Sequence, residues 1–250
     1  MKRFGIIGYP VAGSMSPRLF AAAYGSHYTY DLLEYPTFEQ AWDRFIEDYD
    51  GINVTAPFKM DALHRVGTLT QNALLAGAVN VVAKRPGGQL LGHNSDVDGI
   101  VASLQECGLP ISDVLVVGTG GAARAAVAAA RLMGLPVTVT GRSVEKAAAL
   151  TDGSPATQVP AVLPFEDLAS WQVKAGCIIY TLPSTAPVPA GLPIEGAVIL
   201  EAEYKHPQLA PLPCRAYLSG RRWLLHQAIA GYQMLTGLAP DVRAMMQVLP

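Results

Sequence analysis

At 250 residues the chain has room for one large domain or two compact ones. Half of its residues are hydrophobic and only 15% are charged, which is enough apolar surface for a sizeable core and excludes a disordered chain. Eighteen Lys and Arg against twenty Asp and Glu leave a formal charge of −2 with no basic stripe, which argues against nucleic acid as the main partner.

In chain order, FGIIG reads as a buried strand and SPRLFAAAYG as a helix opened by serine and proline. Pro10 and the polar GSMSP break this early apolar run before it can act as a signal peptide. YTYDLLEY predicts a second strand, and TFEQAWDRFIEDY a helix capped by Thr37. GINVT is a third strand, followed by Pro57 and a further helical stretch. AVNVVAK and QLLGHN read as an antiparallel pair that turns at Pro86, Gly87 and Gly88. A helix runs from Ser95 to about Cys107, and the pattern then restarts. DVLVVG is an apolar strand, GGAARAAVAAARLMG an alanine-rich helix, PVTVTG a strand and SVEKAAALT a helix. GCIIYT and AVILEAEY are strand-like, and RRWLLHQAIAGYQMLTG has apolar residues at helical spacing. Repeated strand–helix alternation with apolar strands predicts an α/β class with parallel sheets, in two α/β units. The long uncharged stretch 175–194 carries Pro183, Pro187, Pro189 and Pro193, which rules it out as a membrane span. Cys107, Cys177 and Cys214 are too scattered for a disulfide or zinc framework and suit a reducing cytoplasm.

The segment DVLVVGTGGAARAA sets Gly118, Thr119, Gly120, Gly121 and Ala122 between a strand and a long helix. This is the context of a dinucleotide fingerprint: one glycine makes the turn, a second lets backbone approach the pyrophosphate, and the helix N-terminus supplies aligned N–H groups. An NAD site places an acid about 20 residues on, at the end of the next strand. Here Arg142 and Ser143 stand there, with Lys146 one turn later, and these donors suit the 2′-phosphate of NADP.

Three polar segments of the first half fall at expected strand ends, where open α/β sheets bind ligands. GSMSP offers Ser14 and Ser16 near a helix N-terminus, as a carboxylate site or as an ordinary helix cap. NVTAPFK places Lys59 where it opposes the helix dipole. GHNSD places Asp96 in the first turn of a helix, as a functional acid or as part of a cap. His93, His206 and His226 have no ligand spacing and read as structural or rim residues, so no metal is expected.

GSMSP, NVTAPFK, GAVN, GHNSDVDG, GTGGAARA and LLHQA stand in the order and approximate spacing of shikimate dehydrogenases, and the chain resembles that family over nearly its whole length. The resemblance implies a substrate domain, 1–98 plus 221–250, with a mostly parallel sheet, and a Rossmann-type NADP domain at 99–220. It implies reversible NADPH-dependent reduction of 3-dehydroshikimate to shikimate, in a cytoplasmic monomer or homodimer. By the same resemblance Ser14 and Ser16 bind the substrate carboxylate, with Tyr204 nearby. Thr55, Asn80, Asp96 and Gln227 bond the ring hydroxyls, and Lys59 and Asp96 form the catalytic pair. Gly118, Thr119, Gly120, Gly121 and Ala122 carry the pyrophosphate, and Arg142, Ser143 and Lys146 lie near the adenosine phosphate.

The chain departs from the family pattern at four places. Ser95 replaces a threonine, Gly141 replaces the asparagine before the NADP arginine, Tyr180–Ser184 diverges from the usual nicotinamide loop, and Glu203 replaces a valine. Two alternatives share the same residues: a dehydrogenase of quinate or a related polyol acid, and a non-catalytic NADP-binding regulator. A regulator has no need for the Lys59–Asp96 pair. Lys59 is open to two roles, as proton donor and as electrostatic anchor for an alkoxide.

Overall fold

Short apolar strands separated by amphipathic helices assemble into two sheets, one in each of two units. The computed structural model describes residues 1–150, 161–172 and 175–249. The units are Met1–Gly99 with Leu225–Pro250, and Ile100–Leu224.

The first unit holds β1 (Arg3–Gly8), α1 (Ser16–Tyr24), β2 (Thr29–Glu34), α2 (Phe38–Asp48), β3 (Gly51–Val54) and α3 (Lys59–Arg65). β4 (Thr68–Leu69), α4 (Gln71–Ala76), β5 (Val81–Lys84), β6 (Leu90–His93) and the start of α5 (Ser95–Cys107) follow. The sheet order is β2-β1-β3-β5-β6-β4. β1 pairs in parallel with β2 and β3, whereas β5 runs antiparallel to β3 and β6. That antiparallel pair is the hairpin expected from AVNVVAK and QLLGHN. Helix α2 shows how the sequence shapes this unit. The Thr37 hydroxyl accepts the Gln40 N–H at 3.4 Å, and Phe38, Ala41, Trp42 and Phe45 recur at helical spacing and are buried. They pack on Ile7, Ile52, Phe58 and Val82. Fully burying a side chain such as Phe45 contributes about 1.5–3 kcal/mol.

The register of this sheet decides where its polar loops meet. The C-terminal ends of the parallel strands β1 and β3 share one sheet edge. Antiparallel β5 begins at that edge, with Val81 opposite Asn53, and β6, reversed again relative to β5, ends there, with His93 opposite Val81. The residues that follow β1 and β3, precede β5 and follow β6 therefore gather along one line.

The second unit contains β7 (Asp113–Val117), α6 (Gly121–Leu132), β8 (Val137–Thr140), α7 (Val144–Ala148), β9 (Ala161–Leu163) and a 3-10 turn (Phe165–Ser170). β10 (Gly176–Tyr180), β11 (Val198–Glu201) and β12 (Ala216–Leu218) complete its sheet. Helix α8 (Gly220–Thr236) begins here and returns the chain to the first unit, which ends with α9 (Val242–Val248). The strand order is β12-β11-β10-β7-β8-β9, and every pairing among the described residues is parallel. The order reverses between β7 and β10, the switch point at which doubly wound sheets bind ligands. Alanines at 123, 125, 126, 128, 129 and 130 are fully buried, so α6 offers a face of small side chains for close packing.

Some details depart from the expectations. The helical stretch after Pro57 splits into α3 and α4, because Val66, Gly67 and Thr68 lead into β4. AVILEAEY stays a strand only to Glu201. Helix α7 ends at Ala148, and Thr151 of the expected SVEKAAALT helix lies outside the described residues. No described helix is long and apolar enough to cross a membrane.

Candidate active site

Lys59 is the first residue of α3, just beyond β3, and Asp96 lies in the first turn of α5, just beyond β6. Their side chains meet at the shared sheet edge, with Lys59 Nζ donating to Asp96 Oδ2 at 2.6 Å. The pair is mostly withdrawn from water, with side chains 19% and 14% exposed. A charge-assisted bond of this length, shielded from bulk solvent, is stronger than a surface ion pair and fixes the position of the ammonium. The Lys59 carbonyl also accepts the Val79 N–H at 2.9 Å, which ties the start of α3 to the chain entering β5.

A second constellation adjoins this edge. Asn80 is buried just before β5, and the Ser95 N–H donates to its Oδ1 at 2.7 Å. An N–H can only donate, so this contact fixes which way the Asn80 amide faces and makes Nδ2 its donor end. The Ser95 hydroxyl lies 3.3 Å from both Asn80 Oδ1 and Gln227 Oε1, and shares its single proton between them. Ser95 thereby joins two expected substrate residues that are far apart in sequence. Gly231, one turn beyond Gln227 on α8, permits the close approach: a Cβ there would lie 3.2 Å from Ser95 Oγ and 3.5 Å from Asn53 Nδ2.

Asn53 and three aromatic residues belong to the same region, and sequence reasoning missed them. Asn53 Nδ2 donates to the Asn80 carbonyl at 3.4 Å, and Tyr30 donates to Asn53 Oδ1 at 2.7 Å. The Tyr232 hydroxyl donates to the Ser16 carbonyl at 3.0 Å, and the Tyr30, Tyr232 and Phe20 rings pack together, Tyr232 edge-on to the other two. Burial raises the pKa of both phenols above the ordinary value, so each stays a neutral donor. The visible signal for Asn53 was its place at the head of NVTAPFK; the tyrosines gave none.

Ser14 and Ser16 follow β1. Ser16 is the first residue of α1 and Met15 occupies the cap position without a side-chain cap bond, so the alternative of Ser16 as an ordinary cap is not what the fold uses. The Ser14 hydroxyl accepts the Ser16 N–H at 3.2 Å. Upstream, the Glu34 carboxylate accepts the N–H groups of Val11 and Ala12 at 2.5 and 2.8 Å and holds the loop that leads to the serines. Thr55 is fixed through its backbone to Ile7 and Phe58, and its methyl abuts Gly8, where any larger residue would collide. His93 has a structural place: Nδ1 pairs with Thr70 Oγ1 and Nε2 with Asp98 Oδ2, each at 2.8 Å.

The cofactor candidates lie in the second unit. Gly118 has φ +124° and faces the Thr181 side chain so closely that a Cβ would overlap it, so the turn needs glycine. Gly120 caps α6 and opens onto empty space, leaving room for a pyrophosphate at the helix N-terminus. Arg142 and Lys146 are exposed beyond β8. The Ser143 hydroxyl is already engaged, accepting the Lys146 N–H at 3.2 Å and donating to Glu145 Oε2 at 2.7 Å. Glu145 is thus an acid near the expected 2′-phosphate region that the strand-end rule passed over. These residues fit a phosphorylated dinucleotide, with glycine backbone at the turn and two exposed cationic side chains beyond it.

Two further residues fix the segments that follow β10 and β11. Glu201 is fully buried and accepts from Gln208 N, Leu209 N and Tyr217 Oη at 2.7, 3.1 and 2.7 Å. The Gln208 amide then donates to the carbonyls of Ser184 and Ala186 at 3.2 and 3.0 Å. Tyr204 stands on the separate segment after β11 that Glu201 ties back at Gln208 and Leu209, and burial together with Glu203 raises its pKa. No group of three potential metal ligands occurs among the described residues.

The sequence profile of the shikimate dehydrogenase substrate-binding domain matches residues 6–82. A shikimate dehydrogenase (NADP(+)) of Thermus thermophilus is 33% identical, with 98% of this chain and 96% of the relative covered. The chain belongs to the shikimate dehydrogenase family. A second member, from Bacillus subtilis, is 30% identical over 99% of this chain and 96% of its own length. Among solved members, the Thermus thermophilus shikimate 5-dehydrogenase in complex with NADP(H) and shikimate superposes with a TM-score of 0.85 at 29% identity. The match spans 100% of this chain and 98% of that one. A quinate dehydrogenase of Corynebacterium glutamicum shares the fold, with a TM-score of 0.87 at 21% identity and coverage of 99% and 98%.

Proposed function

We propose that this chain is an NADP-dependent shikimate dehydrogenase that interconverts 3-dehydroshikimate and shikimate. The observation that carries the reading is the shielded Lys59–Asp96 pair at 2.6 Å, set at the sheet edge where the polar loops after β1, β3 and β6 converge. NADPH, when bound, supplies the hydride. Hydride addition to a ketone carbon places negative charge on its oxygen, and the Lys59 ammonium offers both a compensating charge and a proton at that atom. Asp96 accepts an adjacent ring hydroxyl and holds the lysine in place.

The other residues orient the ring. Asn80 presents Nδ2 to a substrate oxygen because Ser95 occupies its carbonyl end. Gln227 and Thr55 complete the hydroxyl contacts, and Ser14 and Ser16 take the carboxylate. Gly118, Thr119, Gly120, Gly121 and Ala122 cradle the pyrophosphate. Arg142 and Lys146 meet the 2′-phosphate, and Ser143 joins them once its hydroxyl leaves Glu145. Residues 1–98 with 221–250 then serve as the substrate domain and 99–220 as the cofactor domain. A cytoplasmic location is part of the same proposal, supported by three unpaired thiols. So is action as a monomer or homodimer, without nucleic-acid or membrane partners.

Absorbance at 340 nm with NADP and either shikimate or quinate tests the assignment. Shikimate should be oxidised far more efficiently. Preferential turnover of quinate would reassign the substrate, and no turnover of either would leave a nucleotide-binding protein.

A further inference from the structure

Position 141 is restricted by its neighbour and not by its backbone. Gly141 is absent from the positive-φ glycines, so its main chain could carry a side chain. Yet a Cβ there would lie 2.7 Å from Thr119 Cγ2 and 3.9 Å from Thr119 Cβ. Thr119 is the middle residue of the Gly118–Gly120 turn, after β7, while Gly141 follows β8. The two strands are paired, with Val117 opposite Thr140, so the two residues stand side by side at adjacent strand ends. A threonine side chain is stiff, because branching at Cβ restricts its rotamers. Its methyl cannot swing clear without carrying the hydroxyl with it. That hydroxyl makes no hydrogen bond among the described residues, and Thr119 is only half-buried.

In a dinucleotide-binding unit the space between the glycine turn and the next strand end is where the adenosine ribose lies. We infer that Thr119 and Gly141 act as one nucleotide-binding pair, in which the Thr119 methyl fills the room of a side chain at 141 and its hydroxyl bonds the adenosine ribose. This rests on the assignment of the second unit as the NADP site. It also accounts for the loss of a side chain just before Arg142: the polar contact has moved from the strand end to the glycine turn.

The test is a set of four proteins: the parent, Gly141→Ala, Thr119→Ser, and the two together, with NADP and NAD affinities and thermal midpoints measured for each. Gly141→Ala alone should weaken both nucleotides by about threefold to tenfold, the value of one neutral hydrogen bond, because Thr119 must rotate or the strand end must shift. Thr119→Ser removes the methyl and keeps the hydroxyl, so it should bind as the parent does. The double variant should recover to within about twofold of the parent, together with the thermal midpoint lost in Gly141→Ala. Parent-like binding by Gly141→Ala, or a double variant as weak as Gly141→Ala, would overturn the pairing. If the parent binds no NADP, the assignment of the cofactor fails separately. The thermal midpoints then still decide the steric pairing, and failure of Thr119→Ser to restore the midpoint lost in Gly141→Ala overturns it.

Discussion

Replacing Lys59 with methionine separates chemistry from packing. The substitution keeps most of the aliphatic length, removes the ammonium, and leaves Asp96 without its partner at 2.6 Å. Losing one member of a fully buried pair costs about 3–5 kcal/mol, because a charge is stranded away from water. With side chains still 19% and 14% exposed, water can reach Asp96 and the penalty should be nearer 2 kcal/mol. For a chain of this size that corresponds to a fall in melting temperature of about 4–8 °C. The catalytic loss should be much larger: removing a general acid typically lowers the rate by about a hundredfold to ten-thousandfold. Since Lys59 acts mainly as charge develops, kcat should fall by that order while KM for shikimate and NADP changes by less than about tenfold. The double variant Lys59→Met, Asp96→Asn should regain part of the stability and none of the activity. Steady-state kinetics at 340 nm and thermal melts of the three proteins give both numbers. Turnover of Lys59→Met within tenfold of the parent would refute the assignment of the proton donor. A collapse in shikimate affinity with intact kcat would make Lys59 a binding residue only.

Three other predictions follow from the same geometry. Arg142→Ala should weaken NADP by about tenfold to a hundredfold, the value of one charge-assisted contact, and hardly change NAD; equal losses for both in a binding titration would remove Arg142 from the 2′-phosphate. Replacing Ser14 and Ser16 together by alanine should raise KM for shikimate well above any change for NADP, and an unchanged shikimate KM would end the carboxylate assignment. Burial raises the Tyr232 pKa, so the folded state holds that proton more tightly than the unfolded chain does. Its contribution to stability is fully present below about pH 10 and is lost as pH rises beyond it. Tyr232→Phe should cost about 0.5–1.5 kcal/mol at pH 7 through the lost bond to Ser16, and should flatten the decline above pH 10. Urea midpoints that fall equally in both proteins between pH 7 and pH 11 would contradict this.

Much of this fold is legible in the sequence because strand and helix periods alternate cleanly. Helix α5 begins and ends where the pattern places it, at Ser95 and Cys107, and Thr37 caps α2 as its residue type suggests. The short strands β4, β9 and β12 are not legible, since two or three residues carry no period. The candidate site divides along the same line. Lys59 and Asp96 each sit beside a motif, and the register of β3, β5 and β6 explains why they meet. The residues that orient them are set by packing across long sequence separations. Glu34 reaches back to Val11, Tyr232 to Ser16 and Ser95 across to Gln227, and nothing local marks any of these pairs. Gly141 shows the limit most directly. As a sequence feature it is a missing asparagine, and only its distance to Thr119 reveals what fills the gap.

The central claim is that this chain moves a hydride between a nicotinamide and the ring carbon of shikimate. Incubating the protein with 3-dehydroshikimate and NADPH deuterated at the transferred position, followed by mass spectrometry of the product, tests this without intermediaries. The account predicts shikimate heavier by a single deuterium, formed in step with the loss of absorbance at 340 nm. NADPH left unconsumed, or shikimate formed without the deuterium, would contradict it.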